Sequence, residues 1–141
     1  MGSLTVGGVA GSLSTFPNFL IYFAVGSCLI AVFLALYVNL TPHREIALIR
    51  AGNVAAAIAL SGSLLGFVIP LASLISHSAR LIDVLIWGVV ALLIQLAGFM
   101  IARLVIPGLP KAVEEGRVSD GIFLAALSLA LGMLNAACMA G

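Results

Sequence analysis

The chain has 141 residues, 63% of them apolar and only 8% charged, with six basic and five acidic side chains and a net charge of +1. A water-soluble domain carries about 25% charged residues, so this few cannot clothe a globule in water. A soluble enzyme, a nucleic-acid binder and a disordered chain are excluded, and the solvent is a lipid bilayer.

Residues 1–18, rich in Gly, Ser and Thr, are expected to form a flexible outer tail. No basic segment precedes the first apolar stretch, so a cleaved signal peptide is not expected. Val25-Gly26-Ser27-Cys28 loosely resembles a lipoprotein cleavage box, but apolar residues run on to Leu40 and lipidation is not expected either.

Crossing a hydrocarbon core about 30 Å thick takes about 20 mostly apolar residues in a helix. Four stretches qualify: 19–40 and 54–75, both uncharged, then 82–106 with Asp83 and Arg103 near its ends, and 122–140. Only helices satisfy the backbone of such spans in lipid, so the fold class is an all-α integral membrane four-helix bundle. Short connections join them. Residues 41–53 carry His43, Arg44, Glu45 and Arg50, residues 76–81 carry His77 and Arg80, and residues 107–121 carry Lys111, Glu114, Glu115, Arg117 and Asp120. The first and third connections share a side, which with Arg103 holds Arg44, Arg50, Lys111 and Arg117, against Arg80 alone opposite. This bias puts those two connections in the cytoplasm and both termini outside. The basic residues are expected to meet headgroups or a peripheral partner, Arg103 by snorkelling.

Within the first connection, Thr41 can cap a helix beginning at Pro42, with Glu45 in its first turn, giving a short interfacial helix over residues 42–51. His43 and Glu45 are expected to face solvent or headgroups rather than bind metal or shuttle protons. Arg80 and Asp83 are spaced to pair at the outer surface, where a pair contributes little.

A shift of 66 positions lays Ala59, Gly62 and Gly66 on Ala125, Ser128 and Gly132. The chain is therefore expected to be one membrane domain built from two parallel two-helix repeats, 19–75 and 82–140. Small residues let helix backbones approach closely in lipid, so Gly62, Gly66, Gly121, Ala125, Gly132 and Ala136 are candidates for packing within the chain or for a subunit interface. Homo-oligomerisation is expected.

Polar groups at depth are the candidates for function. Ser27, Cys28, Ser61, Ser63, Gln95 and Ser128 lie near the middles of their spans, with Asn135 about a turn further out and Cys138 beyond it. Gln95 is expected to make an interhelical hydrogen bond and the serines to bond back to their own helices, while Asn135 either caps its helix or joins a polar cluster at the outer mouth; the lining of a solute path is the alternative. Cys28 and Cys138 differ in depth by some 13 Å, which argues against a disulfide between them. No catalytic constellation, metal-ligand set or phosphate-binding loop is apparent, and no carboxylate is expected deep in the bilayer. The expectation is therefore no enzyme, no cofactor, no metal and no proton-coupled chemistry.

Thr41-Pro42-His43-Arg44-Glu45, Gly52-Asn53 and Ser61-Gly62-Ser63-Leu64-Leu65-Gly66, ending in Ile69-Pro70-Leu71, resemble the YjfL family of small bacterial inner-membrane proteins (domain of unknown function 350). Gln95-Leu96, Arg103 followed by Pro107 and Leu109, and Asn135-Ala136-Ala137-Cys138-Met139 extend the resemblance over about residues 19–139. It implies a bacterial inner-membrane protein with four helices from a duplicated two-helix unit. It brings no reaction or catalytic residue. The neighbourhood of such proteins with phage-shock-like envelope proteins and with ligase or polyamine-related enzymes implies a part in envelope maintenance, with a peripheral envelope protein as a partner.

Overall fold

The computed structural model describes residues 6–40, 45–77 and 80–140. They form helices α1 (Val6–Ser14), α2 (Phe16–Leu40), α3 (Glu45–Arg50), α4 (Val54–His77), α5 (Leu81–Val105), α6 (Leu109–Glu114) and α7 (Val118–Ala140), with no strand among the described residues. The spans expected at 19–40, 54–75, 82–106 and 122–140 correspond to α2, α4, α5 and α7. All four are long and apolar enough to cross a membrane. Thr41 and Pro42, read as the start of the interfacial helix, and His43 and Arg44 lie outside the described residues.

Part of the segment expected as a flexible tail is helical. α1 is exposed from Gly8 onward and runs almost directly into α2, so that residues Gly8–Leu40 form one apolar stretch. The Ser14 and Thr15 hydroxyls donate back to the Gly11 and Ser12 carbonyls, both at 2.7 Å. Ser and Thr hydroxyls thereby satisfy the turn themselves, which a reading of composition alone counts as loop character.

The core is the contact between α4 and α7. Gly62 lies against Ala125, Gly66 against the Ser128 backbone, and Gly132 against the Gly66 carbonyl. A Cβ at Gly121 would stand 2.6 Å from the Ala55 carbonyl oxygen. Four of the six small residues singled out from sequence thus face α4 across α7 or α7 across α4 at positions where a methyl group has no room, Ala125 supplies the facing surface, and Ala136 is half-buried. α5 closes over this pair, with Gln95 bonded to the Gly66 and Ser128 carbonyls, and meets α2 through Gly88 against Leu29 and Phe99 against Tyr37. α2 lies at the edge, burying a single stripe of Gly26, Leu29, Phe33 and Tyr37 at helical spacing. Its remaining surface is apolar and exposed, as a lipid-facing helix requires. Ser27 and Cys28 are on that outward face.

The element order runs twice through the same pattern. α2, α3 and α4 have 25, 6 and 24 residues, and α5, α6 and α7 have 25, 6 and 23. Each short helix ends in the same way. Gly52 and Gly116 take left-handed φ values of 90° and 83°. Around them the next amides bond back to Leu48 and Ile49, and to Ala112 and Val113. This paired cap needs a residue that tolerates positive φ.

Candidate functional site

Asn53 joins the two short helices. Its Oδ1 accepts from the Ala56 amide at 3.0 Å, capping α4, while its Nδ2 donates to the Val113 and Glu114 carbonyls at 3.0 and 3.1 Å, capping α6. One amide therefore satisfies orphan groups of two helix ends at once and fixes both connections on the same end of the bundle. That end carries Arg50, Arg103, Lys111 and Arg117, all exposed. Arg117 pairs with the buried Asp120 carboxylate at 3.1 Å, and Arg103 lies over the Phe99 ring at 5.9 Å from its centroid. Arg44 lies outside the described residues.

Beneath this end, Glu45 departs from expectation. It is only 1% exposed rather than solvated. Its carboxyl faces the Tyr37 hydroxyl, and Tyr37 in turn faces the Ser63 hydroxyl. Burial pushes the Glu45 pKa up to about 7, against a smaller downward pull from hydrogen bonding with Tyr37. Aromatic rings wall the place. Phe33 stacks on Phe67 at 4.8 Å, and Tyr37 meets Phe99 edge-on at 5.6 Å. The expectation that Glu45 faces solvent or headgroups fails because α3 packs back on α4 and buries its first residue, a tertiary placement no local pattern reports.

From Tyr37 the polar groups continue inward. The Ser63 and Ser128 hydroxyls are 3.3 Å apart in the α4–α7 contact. Gln95, 4% exposed, donates from Nε2 to the Gly66 carbonyl at 2.9 Å and to the Ser128 carbonyl at 3.1 Å. Ser63, Gln95 and Ser128, all singled out from sequence, are thus brought together. Ser61 is not among them. It stands on the outer side of α4, beside an open apolar groove with Ile58, Gly62 and Leu65. Two residues along a helix is a turn of about 200°, so Ser61 and Ser63 cannot share a face. Asn135 shares the face of Ser128 but two turns further out.

At the end opposite Asn53, a cavity of about 380 Å³ is lined by Leu74, His77, Asp83, Trp87, Asn135 and Met139. His77 bonds through Nδ1 to the Ser73 carbonyl at 2.7 Å, and Arg80 donates to both Asp83 oxygens at 3.1 and 3.0 Å, the pairing expected from their spacing. Two buried amide atoms are left without a hydrogen-bond partner, Oε1 of Gln95 and Nδ2 of Asn135. Each costs free energy unless a water or a solute meets it. Cys28 and Cys138 are free and exposed, and no group of three metal-ligating side chains occurs among the described residues.

The family described as Domain of Unknown Function (DUF350) matches residues 11–139. The chain is 41% identical over 127 residues to the inner membrane protein YjfL of Escherichia coli strain K12, covering 90% of this chain and 96% of that protein. The same identity and coverage hold for YjfL of strain O157:H7. No solved structure matches.

Proposed function

The chain belongs to the DUF350 family, and on that premise we propose that it is a non-enzymatic inner-membrane component that offers its basic end to a peripheral partner in envelope maintenance. The observation that carries this reading is the Asn53 bridge. It turns two separate connections into a single surface bearing Arg50, Lys111, Glu114, Glu115 and Arg117, which a free loop would not present in a fixed arrangement. The orientation belongs to the same proposal, with this end in the cytoplasm and both termini outside. So does duplication of a two-helix unit, which the repeated 25–6–24 and 25–6–23 pattern supports. Self-association belongs to it as well, through a surface other than the Gly62, Gly66 and Gly132 contacts already filled inside the chain.

The test is cross-linking in intact membranes, comparing the wild type with Lys111→Glu/Arg117→Glu and with Asn53→Ala. The expected result is one set of peripheral proteins joined to the wild type and lost from both variants. The same set recovered from all three, or none from any, overturns the reading.

A second reading, a subunit of a small-solute or ion path, is supported by the outer cavity that ends at Asn135. Passage of a solute past Gln95 would have to break its bonds to Gly66 and Ser128. Liposome flux of Gln95→Leu against the wild type measures it.

A further inference from the structure

The cavity at the end opposite Asn53 is closed on its inner side. One turn inward from Asn135, Gly132 is pressed on the Gly66 carbonyl. The space of about 380 Å³ is therefore a recess for something that stays, and its size is that of a small-ligand site. Leu74 and His77 come to it from the end of α4, Asp83 and Trp87 from the start of α5, and Asn135 and Met139 from the end of α7. Helices of 24, 25 and 23 residues are about 35–38 Å long, more than the hydrocarbon core of about 30 Å and less than the whole bilayer. Their ends thus stand among the headgroups. Trp87 is roughly 9 Å inside the start of α5 and Asn135 roughly 8 Å inside the end of α7, so the cavity runs from the headgroups to the first of the acyl chains.

Its chemistry changes along the same line. At the rim, His77 Nδ1 is 2.7 Å from the Ser73 carbonyl oxygen and must carry the ring hydrogen to make that bond. Nε2 of the neutral ring is then an acceptor. Asp83 takes two bonds from Arg80, and its two oxygens have lone pairs for more. The pair spends Nε and Nη2 of Arg80, leaving the hydrogens of Nη1 for an anion. Deeper in, Asn135 is 9% exposed and its Nδ2 meets no partner. A half-turn about the terminal torsion exchanges Nδ2 with Oδ1 and offers the cavity a donor. Beside this amide the wall is apolar, with Leu74, Met139 and the ring of Trp87.

We propose that this cavity is a binding site for one glycerophospholipid whose headgroup bears a primary ammonium, an ethanolamine lipid. The order of groups from rim to floor is the order of groups along such a lipid. The ammonium, with three N–H donors, meets the acceptors Asp83 and His77, and the phosphate meets Arg80. The zwitterion thus lies head to tail against the Arg80–Asp83 pair. An ester carbonyl answers the unpaired amide of Asn135, and the first methylenes cover Leu74, Trp87 and Met139. A choline head has no N–H to give, and a glycerol head brings no cation to Asp83. A water-soluble amine would leave Asn135 and the apolar wall uncovered.

Trp87 is the one tryptophan of the chain and lines the cavity, so its fluorescence reports what fills it. The experiment uses the full chain in phosphatidylcholine vesicles containing increasing fractions of a lipid with brominated chains and an ethanolamine, choline or glycerol head. Bromine quenches on contact, and lipid that merely surrounds the helices quenches alike whatever its head. The expected result is an apparent affinity for the ethanolamine lipid about tenfold above the other two, the ratio that one hydrogen bond to a charged group supports. Asp83→Asn is expected to remove this preference and Asn135→Leu to remove the excess quenching, while Glu114→Gln, at the opposite end, leaves both intact. Asp83 is at the surface, so Asp83→Asn remains informative where Asn135→Leu disturbs packing. Equal quenching of the wild type by all three lipids overturns the proposal, as does an undiminished preference in either folded variant. So does its loss on adding water-soluble glycerophosphoethanolamine, which would make the ligand a free amine. None of these outcomes depends on the cross-linking test or on which leaflet meets the cavity.

Discussion

Glu45 carries the pH dependence of this molecule. Its pKa rises from about 4.5 for an ordinary glutamate to about 7 in the fold, chiefly through burial. A group whose folded pKa is raised binds its proton more tightly when folded. Its contribution to stability is therefore complete below pH 4.5 and lost as pH rises through 7. At about 1.4 kcal/mol per pH unit, the native state gives up roughly 3 kcal/mol across that window. Thermal unfolding in detergent between pH 4.5 and 8 is expected to show a falling midpoint for the wild type and a flatter profile for Glu45→Gln. Parallel profiles would mean that Glu45 is solvated. Nothing in the local sequence exposes this behaviour, since Glu45 in a first helical turn reads as an ordinary surface anion. The signal that could have found it is the alignment of the short helices by their terminal glycines, Gly52 with Gly116, which sets Glu45 on the apolar Leu109.

Among the elements, the α4–α7 contact and the Asn53 bridge do different work and fail differently. Gly132→Ala would drive a methyl group into the Gly66 carbonyl. Overpacking of this kind costs about 1–3 kcal/mol, and here it falls on backbone, which cannot rotate aside. Gly11→Ala, with open space around it, serves as the control and is expected to leave stability unchanged or slightly raised. Comparison of the two melting midpoints checks the claim. Asn53→Ala removes one helix cap and two bonds to the end of another, a loss of about 1–2 kcal/mol. Its distinctive effect is local. Amide exchange is expected to rise in α3 and α6 while the middle of α4 stays protected. The spans themselves were legible because hydrocarbon thickness fixes their length, and the small-residue ridge because close approach admits few side chains. Asn53 was not, because a helix cap at the end of a basic connection looks the same whether or not a second helix end lies above it.

The whole molecule carries a charge asymmetry, and the proposed orientation of its two ends follows from it. Arg50, Arg103, Lys111 and Arg117 stand at the end closed by Asn53, and Arg80, already paired with Asp83, at the other. The proposed orientation rests on the rule that short basic connections stay in the cytoplasm. The Asn53 contact strengthens the inference, because it shows the two basic connections on one side without appeal to hydropathy. Cys138 is free, exposed and near the opposite end, which makes it a built-in reporter. With Cys28→Ser as background, a membrane-impermeant maleimide applied to intact spheroplasts is expected to label Cys138. In a Cys28→Ser/Cys138→Ser/Glu114→Cys protein the same reagent is expected to label only after lysis. The reverse pattern would place Glu45 on the outer side, turn the surface around Lys111 and Arg117 away from the cytosol, and make the cavity at Asn135 the cytoplasmic mouth.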